Sequence, residues 1–231
     1  MAHLKALVAP KQWKIKRKEN KWVARPKPGP HNKKAAPLII VLKSMLGVVQ
    51  NKKETRHILQ NKEVLLNAKT VKDPDTPTGL MDVITLPALK KDYRVTLDEK
   101  GRWVLVEIPK KESNLKICRV TNKKTVKKGR IQITLHDGTT ALIKQKISVG
   151  DSALIQLPEN KVTQILKNKK GALVLVTGGT HVGEQATILD YHGYKGVQPD
   201  KIELKTSKGQ FATLENYVLV VGDKKPEITI Q

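Results

Sequence analysis

The residues of this sequence with the clearest chemistry are lysines and arginines, and they are densest near the amino terminus. Within the first 36 residues eleven cations stand against one acid, Glu19, which gives this stretch ten of the chain's 23 net positive charges. Cations that replace the condensed counterions of a phosphate backbone release those counterions and gain free energy. A polyanion is therefore the expected partner. The candidate contacts here are Lys5, Lys11, Lys14, Lys16, Arg17, Lys18, Lys21, Arg25, Lys27, His31, Lys33 and Lys34.

Further cations recur at positions where the pattern predicts outward-facing side chains. One set lies on two predicted helices and the turn after them, namely Lys43, Lys52, Lys53, Arg56, Lys69 and Lys72. A second set lies in predicted strand connections, namely Lys123, Lys124, Lys127, Lys128 and Arg130. Charge in a connection can reach a phosphate backbone without disturbing a core.

Nucleic acid fits this charge better than a membrane surface does. The sequence pI is about 10.0, and we find neither an amphipathic apolar face nor a lipidation signal beside the cations. Three Trp, four Tyr and one Phe are too few for an aromatic platform that stacks splayed bases. Contacts to phosphate, to the 2′-hydroxyl and to RNA shape are therefore the predicted mode.

The elements that must position these cations change character near Pro37. Before it, prolines exclude a long helix and apolar residues are sparse, so residues 1–36 are expected to form an extended arm that cannot fold alone and is ordered by a partner. Trp13 and Trp22 either stack on RNA or anchor the arm on the protein's own surface. His31 either contacts phosphate or lies exposed in a loop.

Two short helices are predicted after Pro37. Leu38, Val41, Leu42, Met45, Leu46 and Val49 recur at three- and four-residue spacing, which indicates one buried helix face. Gly47 is placed to end that helix, and Asn51 begins N-K-K-E, a capping box for a second helix. In that second helix Thr55, Ile58 and Leu59 are expected to face inward.

Short apolar segments separated by turns follow from residue 64 to the end, and they predict strands. His136-Asp137-Gly138 and Ser207-Lys208-Gly209 have the composition of hairpin turns. Strands of this length and spacing are typical of small barrels. The predicted strands are Met81–Leu86, Tyr93–Leu97, Arg102–Ile108, Leu115–Val120, Ile131–Leu135, Thr140–Ile143, Ala153–Leu157, Val162–Leu166, Ala172–Thr177, Ala186–Tyr191, Lys201–Thr206, Gln210–Thr213 and Tyr217–Val221.

Catalytic and metal chemistry find little support in the sequence. A single cysteine, Cys118, excludes an intramolecular disulfide and a multi-thiolate zinc site, and it favours a reducing, cytoplasmic compartment with the thiol packed in a core. The run Gly178–Gly183 is followed by Glu184 where a phosphate-binding loop needs lysine. Asp82 is the nearest candidate acid, and a structural role is favoured for it. No cofactor, metal or small-molecule substrate is expected.

Four segments carry a resemblance to a known family. The stretches HLKALVAPKQWKIKRKENKWVARPKPGPH, PLIIVLKSMLG and GLMDVI and the glycine run containing VTGG occur in the order and spacing of the archaeal and eukaryotic family of small-subunit ribosomal protein four. The resemblance covers nearly the whole chain, which looks like the shorter archaeal form. It implies a non-catalytic protein, not a homo-oligomer, that binds small-subunit ribosomal RNA beside neighbouring ribosomal proteins.

The resemblance also implies an α+β organisation in four parts. These are a basic extended arm at 1–36, an alpha-L RNA-binding motif of two helices and a small sheet at 37–104, a central β domain at 105–170, and a small barrel with a KOW motif at 171–231. The KOW match rests on Val176, Gly179 and Gly183. His181 lies between the glycines and either contacts RNA or protein or is merely exposed. Ala68 and Ala186 stand where the two motifs usually have glycine, which leaves the turn at Ala68 and the backbone approach at Ala186 open.

Two other classes of protein share parts of this pattern. Alpha-L motifs also occur in pseudouridine synthases, which need a separate catalytic domain with its own aspartate. KOW motifs occur in transcription elongation factors, which bind polymerase and do not need a long basic arm. We therefore predict a structural constituent of the small ribosomal subunit, and either rival would be marked by enzymatic turnover or by a polymerase partner.

Overall fold

The computed structural model describes residues 3–126, 129–143, 145–193, 199–207 and 209–230. The chain divides into two compact units. The first unit runs up to Thr96 and includes Arg102–Asn114, and the second comprises Leu97–Gly101 and Leu115–Ile230. The predicted four-part division differs from this in two ways. The amino-terminal residues belong to the first unit, and the boundary expected between 104 and 105 falls inside a strand.

The first unit contains three small antiparallel arrangements. Its strands are β1 (Leu4–Lys5), β2 (Trp22–Val23), β3 (Ala36–Pro37), β4 (Leu65–Leu66), β5 (Lys69–Thr70), β6 (Pro77–Thr78), β7 (Val83–Leu86), β8 (Lys91–Leu97) and β9 (Trp103–Ile108). Strand β1 pairs with β2, and β3 pairs with β6. The remaining five form a sheet of order β5-β4-β7-β8-β9.

Both predicted helices are present. Helix α1 (Leu38–Ile40) continues as a π-helix over Val41–Leu46 and ends at Gly47, whose φ of 70° is the left-handed conformation that favours glycine. Helix α2 (Lys52–Gln60) begins at Asn51, whose side chain accepts hydrogen bonds from the backbone N–H groups of Lys53 and Glu54. The predicted cap at Asn51 is therefore present. The Glu54 carboxylate returns a bond to the backbone N–H of Gln50, one residue before the N-cap, so this half of the predicted capping box is shifted by one residue.

The face of α1 that contacts other residues is wider than predicted. Leu38, Val41 and Leu42 are buried as expected, but Ile39 and Ile40 are buried as well. Ile39 and Ile40 line a groove together with residues of the amino-terminal segment, so a second side of the helix faces this segment. A helix with protein on two sides no longer needs one narrow apolar stripe.

The hairpin that joins β4 to β5 turns at Asn67 and Ala68, with φ values of 52° and 60°. Positive φ at both central residues is what a type I′ hairpin turn requires. Ala68 therefore adopts the conformation for which glycine is usual. Lys69, which was placed in the turn by the sequence pattern, is the first residue of β5.

The second unit consists of two five-stranded antiparallel sheets. The first has the order β12-β11-β10-β13-β14 and the second the order β18-β17-β16-β15-β19. The strands are β10 (Leu115–Val126), β11 (Arg130–Leu135), β12 (Thr140–Ile143), β13 (Ser152–Gln156), β14 (Lys161–Leu166), β15 (Leu173–Val176), β16 (Gln185–His192), β17 (Lys201–Thr206), β18 (Gly209–Leu214) and β19 (Val218–Gly222).

The first of these sheets, called here the central sheet (β10 to β14), encloses an apolar core. Cys118, Val120, Ile133, Leu135 and Ile155 are all nearly fully buried in it. The prediction that Cys118 packs in a core is thereby confirmed. Across the described residues strands predominate and helix is confined to short segments, so the chain is mostly β where an α+β balance was expected.

Candidate nucleic-acid interface

The amino-terminal segment, residues 3–36, packs on the first unit instead of extending from it. Trp13 is 3% exposed, and the N–H of Trp103 in β9 donates to the carbonyl of Gln12 at 2.9 Å. The N–H of Lys27 donates to the carbonyl of Asp75, also at 2.9 Å. The expected extended arm is therefore not what the structure contains. The segment is ordered by the neighbouring sheet and loop, because it can bury Trp13 there.

Arg17 holds the first turn of this segment together. Its guanidinium donates to the carbonyl oxygens of Ala6, Ala9 and Pro10 at 3.0, 2.7 and 2.7 Å. The planar five-donor fork of arginine suits such a cluster of acceptors, and a lysine could not reproduce it. Arg17 was predicted to contact RNA, but in this structure its donors are engaged within the protein.

His31 is also internal, which differs from the predicted phosphate contact or exposed loop position. Its Nε2 lies 3.0 Å from a carboxylate oxygen of Asp82, and both side chains are almost fully buried. The same carboxylate accepts from the N–H of Gly79 at 2.7 Å and from the side-chain amide of Asn67 at 2.8 Å. Asp82 thus links the amino-terminal segment to the β4-β5 hairpin, which supports the structural role favoured for it.

Gly79 makes this arrangement possible. A Cβ built at Gly79 would lie 2.1 Å from the His31 ring, a distance that no side chain could occupy. In the GLMDVI stretch, Gly79 is therefore needed for the close approach of His31, and Asp82 is needed to pair with the imidazole ring. Two segments far apart in the sequence are joined here by a buried pair.

A groove of about 840 Å³ opens between the amino-terminal segment and α1. Its apolar lining includes Ile15, Trp22 and Ile40. Its cationic lining consists of Lys11, Lys14, Lys16, Arg17, Lys43 and Arg102. The single acid that lines it, Glu19, already accepts a hydrogen bond from Lys16 at 2.8 Å. The groove is therefore strongly positive, and four cations predicted from the amino-terminal stretch meet there.

Most other predicted cations of the first unit lie at its surface. Exposed side chains belong to Lys5, Lys11, Lys14, Lys16, Lys18, Lys21, Arg25, Lys27, Lys34, Lys43, Lys52, Lys53, Arg56, Lys69 and Lys72. Some of these are engaged, since Lys27 pairs with Asp73 and Lys52 with Asp75. Lys53 and Arg56 on α2 have no hydrogen-bonded or ionic side-chain partner within the described part of the chain. The side chain of Lys33 lies outside the described residues.

The central sheet treats its predicted cations differently. Lys123 and Lys124 were expected in a connection, but both lie inside β10, which continues to Val126 through its pairing with β11. The ammonium of Lys123 donates to the carbonyl of Ile147 at 2.8 Å, whereas Lys124 and Arg130 are exposed. Lys127 and Lys128 lie outside the residues that the structure describes.

The glycine run between β15 and β16 packs against other residues of the second unit. Gly183 has a φ of 84°, and a Cβ there would lie 2.2 Å from the carbonyl oxygen of Asp98. This close contact within the second unit explains why position 183 is glycine, and it differs from the predicted RNA contact. His181 stacks on Phe211 with ring centroids 3.8 Å apart and lies 3.5 Å from Glu184. Gly179 is exposed, with a φ of 89°.

Buried charge in the central sheet was not found by sequence reasoning. Lys116 in β10 donates to Asp137 at 2.7 Å, and each side chain is 4% exposed. Burial alone would raise the pKa of Asp137, but the charge and hydrogen bond of Lys116 with two bonds from Thr139 lower it to about 2. Lys116 sits within an apolar run and Asp137 within a turn motif, so neither position signals its partner.

Two further members of the site and its surroundings were missed. Arg102 lines the groove, although the sequence pattern identified it only as the start of a strand. Arg94 in β8 is fully buried and donates to the Glu112 carboxylate at 3.1 Å. Burial lowers the pKa of its guanidinium, and the bond and charge of Glu112 oppose that shift. Tertiary packing alone brings these residues to their positions.

Among the described residues, no group of three or more His, Cys, Asp or Glu side chains is arranged to hold a metal ion. Within the same ranges, no helix combines the length and the apolar character needed to span a membrane.

Exposed cations around an apolar groove, on a mostly β scaffold, define a nucleic-acid-binding class of protein. Comparison with known proteins narrows the class. The model of the ribosomal family S4e matches residues 89–162, and that of the RS4NT domain matches residues 2–34. The chain belongs to the ribosomal S4e family, which confirms the resemblance found in its sequence motifs.

Individual relatives support this over nearly the full length. The small ribosomal subunit protein eS4 of Archaeoglobus fulgidus is 41% identical over 231 residues, covering 99% of this chain and 97% of that protein. The eS4 protein of Methanococcus aeolicus is 40% identical over 239 residues, with the same coverage of both chains. The crystal structure of the 30S ribosomal protein S4e from Thermoplasma acidophilum matches with a TM-score of 0.70 at 28% identity, covering 82% of this chain and 96% of that one.

Proposed function

We propose that the protein is a structural constituent of the small ribosomal subunit, where it binds ribosomal RNA through phosphate and shape contacts and has no catalytic role. The family assignment carries this proposal, because the relatives are named as small-subunit ribosomal proteins. It also favours a ribosomal protein over the pseudouridine synthase and the elongation factor. The ribosome in the cytoplasm is the corresponding location, and its other partners are neighbouring ribosomal proteins.

The main RNA-binding surface is the first unit. The amino-terminal segment has one acid, Glu19, which is engaged by Lys16, and Lys27 pairs with Asp73. Its other exposed lysines are available to neutralise phosphates. Lys53 and Arg56 on α2 add to this surface. We assign α1, α2 and the β4-β5 hairpin to an alpha-L motif, whose two helices and hairpin suit the contacts that the sequence comparison implied.

The second five-stranded sheet of the second unit (β15 to β19) is proposed to carry the KOW motif, with Gly179 as its exposed glycine. Gly183 serves the close approach of Asp98, and Ala186 is 2% exposed in β16 opposite Val174. Neither residue is therefore assigned an RNA contact. This part of the chain contributes through the exposed charges of its connections, and a monomer is expected in solution.

The salt dependence of RNA binding tests the proposal. The full chain should bind a small-subunit ribosomal RNA fragment with an affinity that falls steeply with salt, by about 0.7 to 0.9 log units per log unit of salt for each phosphate neutralised. The double variant Lys53→Gln, Arg56→Gln should reduce this slope by up to about 1.8. A flat salt dependence of the parent chain would overturn the proposal.

The matched control removes a cation that is already paired. Lys169 lies 3.0 Å from Asp223, so Lys169→Gln should change the slope by less than the loss of one α2 cation. Sedimentation of tagged protein from lysate at moderate salt gives a second reading. Co-migration with the small subunit is the expected result, and a pool bound to polymerase would support the elongation factor.

A further inference from the structure

We propose that the groove between the amino-terminal segment and α1 receives an unstacked RNA base. Trp22 is its stacking surface, and the lysines at the rim, Lys11, Lys14 and Lys43, contact the flanking phosphates. This inference deepens the proposed function and rests on it. It concerns a contact by stacking, which the sequence left open for Trp22, whereas the composition of the chain predicted contacts to phosphate, to the 2′-hydroxyl and to RNA shape as the main mode. Three observations carry it: the position of Trp22, the apolar floor and the charge of the rim.

Trp22 is the accessible tryptophan of the three in the chain. It is 48% exposed, whereas Trp13 and Trp103 are 3% and 2% exposed. A large aromatic side chain left half open to water has an unfavourable hydration that a stacked base would relieve. The short β1-β2 pairing fixes its backbone, with Trp22 opposite Lys5.

The orientation of the Trp22 ring is also constrained by neighbours. The His3 ring lies 5.3 Å from it between centroids at an angle of 49°, and the Lys21 ammonium lies 5.3 Å from the ring centroid. Contacts with a ring and a cation limit its rotamers, so less conformational entropy is lost when a base stacks. Trp22 is thus partly preorganised.

The remainder of the groove is chemically complementary to a nucleotide. Ile15 is half-buried in the lining, and Ile39 and Ile40, 8% and 5% exposed, form the apolar floor beneath it, which suits the edge and face of a base. Lys11, Lys14 and Lys43 line the same groove with exposed side chains and have no ionic partner among the described residues. A base next to phosphates satisfies both features at once, and double-stranded RNA would not place a base face in the groove.

The test compares two single-stranded RNA hexamers of equal charge. One consists of adenosines, and the other lacks the bases at its two central nucleotides. At fixed low salt the full chain should bind the base-bearing hexamer about five- to a hundredfold more tightly, as stacking on an aromatic side chain implies. Binding should quench the tryptophan fluorescence, since Trp22 is the exposed emitter.

Variants assign the effect to the groove. Trp22→Ala should remove the preference for the base-bearing hexamer and leave binding of the abasic hexamer unchanged, and Trp22→Phe should retain most of the preference. Leu7→Ala is the matched control, because Leu7 is an exposed apolar residue of the same segment that does not line the groove. An unchanged thermal melt and an unchanged far-ultraviolet circular dichroism spectrum establish that each variant is folded.

Different outcomes separate this inference from the function on which it rests. Equal binding of both hexamers, with a steep salt dependence retained, would overturn base stacking while the proposed function stands. A polyglutamate peptide that binds as tightly as the base-bearing hexamer and is sensitive to Trp22→Ala would also overturn it, in favour of a protein partner. A flat salt dependence with every RNA would defeat both proposals.

Discussion

The amino-terminal segment and the central sheet both contain lysines, but the segment exposes them to solvent whereas the sheet buries one of them against an acid. In the segment, Lys11 and Lys14 lie exposed around a groove whose one acid is engaged by another lysine. In the sheet, Lys116 is buried against Asp137. Net charge therefore does not map a binding surface. Burial decides whether a cation is available to a polyanion or holds the fold.

This difference follows from the cost of desolvating a charge. A buried charge that loses its partner is strongly destabilising, whereas an exposed ion pair contributes at most about 1 kcal/mol. Substitutions in the two regions should consequently affect different measurements. Changes in the sheet should lower the free energy of unfolding, and changes at exposed lysines should lower RNA affinity.

The largest expected effect is that of Asp137→Asn. It leaves Lys116 charged and buried without its carboxylate, which should lower the free energy of unfolding by about 3 to 5 kcal/mol. Urea unfolding followed by circular dichroism measures this, and hydrogen exchange should show lost protection in β10. An unchanged unfolding midpoint would remove the contrast between the two regions.

The control for this variant is an exposed pair of the same chemistry. Lys169 and Asp223 lie 3.0 Å apart with side chains more than half exposed, so Asp223→Asn should leave the unfolding curve almost unchanged. If both aspartates mattered equally, burial would not be the deciding variable.

The same pair predicts a loss of stability in acid. Because the pKa of Asp137 is about 2 in the folded chain and 3.8 as its ordinary value, the folded state favours the charged carboxylate. Its contribution, on the order of 2 kcal/mol, is complete above pH 4 and disappears as the pH falls towards 2. Thermal melts across this range should show a drop in midpoint that the Asp137→Asn variant lacks.

The sequence predicted the elements better than their contacts. Alternating apolar residues identified most strands to within two residues, for example Ile131–Leu135 against the observed β11, Arg130–Leu135. The sequence Asn122 to Val126 has no such alternation, and backbone pairing with β11 extends β10 through it. Local pattern determines where a strand can form, but partner strands determine how far it continues.

The candidate site was only partly predictable for the same reason. The density of cations identified the amino-terminal segment, but Trp13 and Arg17 could not be distinguished by sequence from Trp22 and Lys14. Trp13 is buried because Gln12 bonds to Trp103 in β9, some 90 residues later along the chain. His31 is likewise buried by Asp82. Such pairs arise from tertiary packing and leave no local signal.

Arg17→Lys tests the order of the amino-terminal segment. The three carbonyls are served by two separate guanidinium nitrogens, and the single nitrogen of a lysine cannot occupy both places. The loss of charge-assisted bonds should cost about 2 kcal/mol in the local stability of the segment. Acrylamide quenching of tryptophan fluorescence should increase as Trp13 becomes accessible. Lys18→Gln changes a neighbouring exposed cation and should leave quenching as it was.

The smallest expected effects come from Ala68 and Ala186, the two positions at which the sequence resemblance led us to expect glycine. Ala68 has a φ of 60°, a conformation that strains an L-residue, so Ala68→Gly should raise the free energy of unfolding by about 1 kcal/mol. Ala186 is buried in β16 without positive φ, so Ala186→Gly should lower it by a similar amount, about 1 kcal/mol, through a lost methyl group and a more flexible chain.

Opposite changes in the free energy of unfolding at these two positions would show that the effect of an Ala→Gly substitution depends on the local backbone conformation. The Ala68 turn adjoins Asn67, which bonds to Asp82 and hence supports His31 of the amino-terminal segment. Relief of strain there should also slow hydrogen exchange in β4 and β5, whereas Ala186→Gly should speed exchange in β15 and β16. If both variants were destabilised alike, the positive φ of Ala68 would carry no strain, and the hairpin would have adapted fully to alanine.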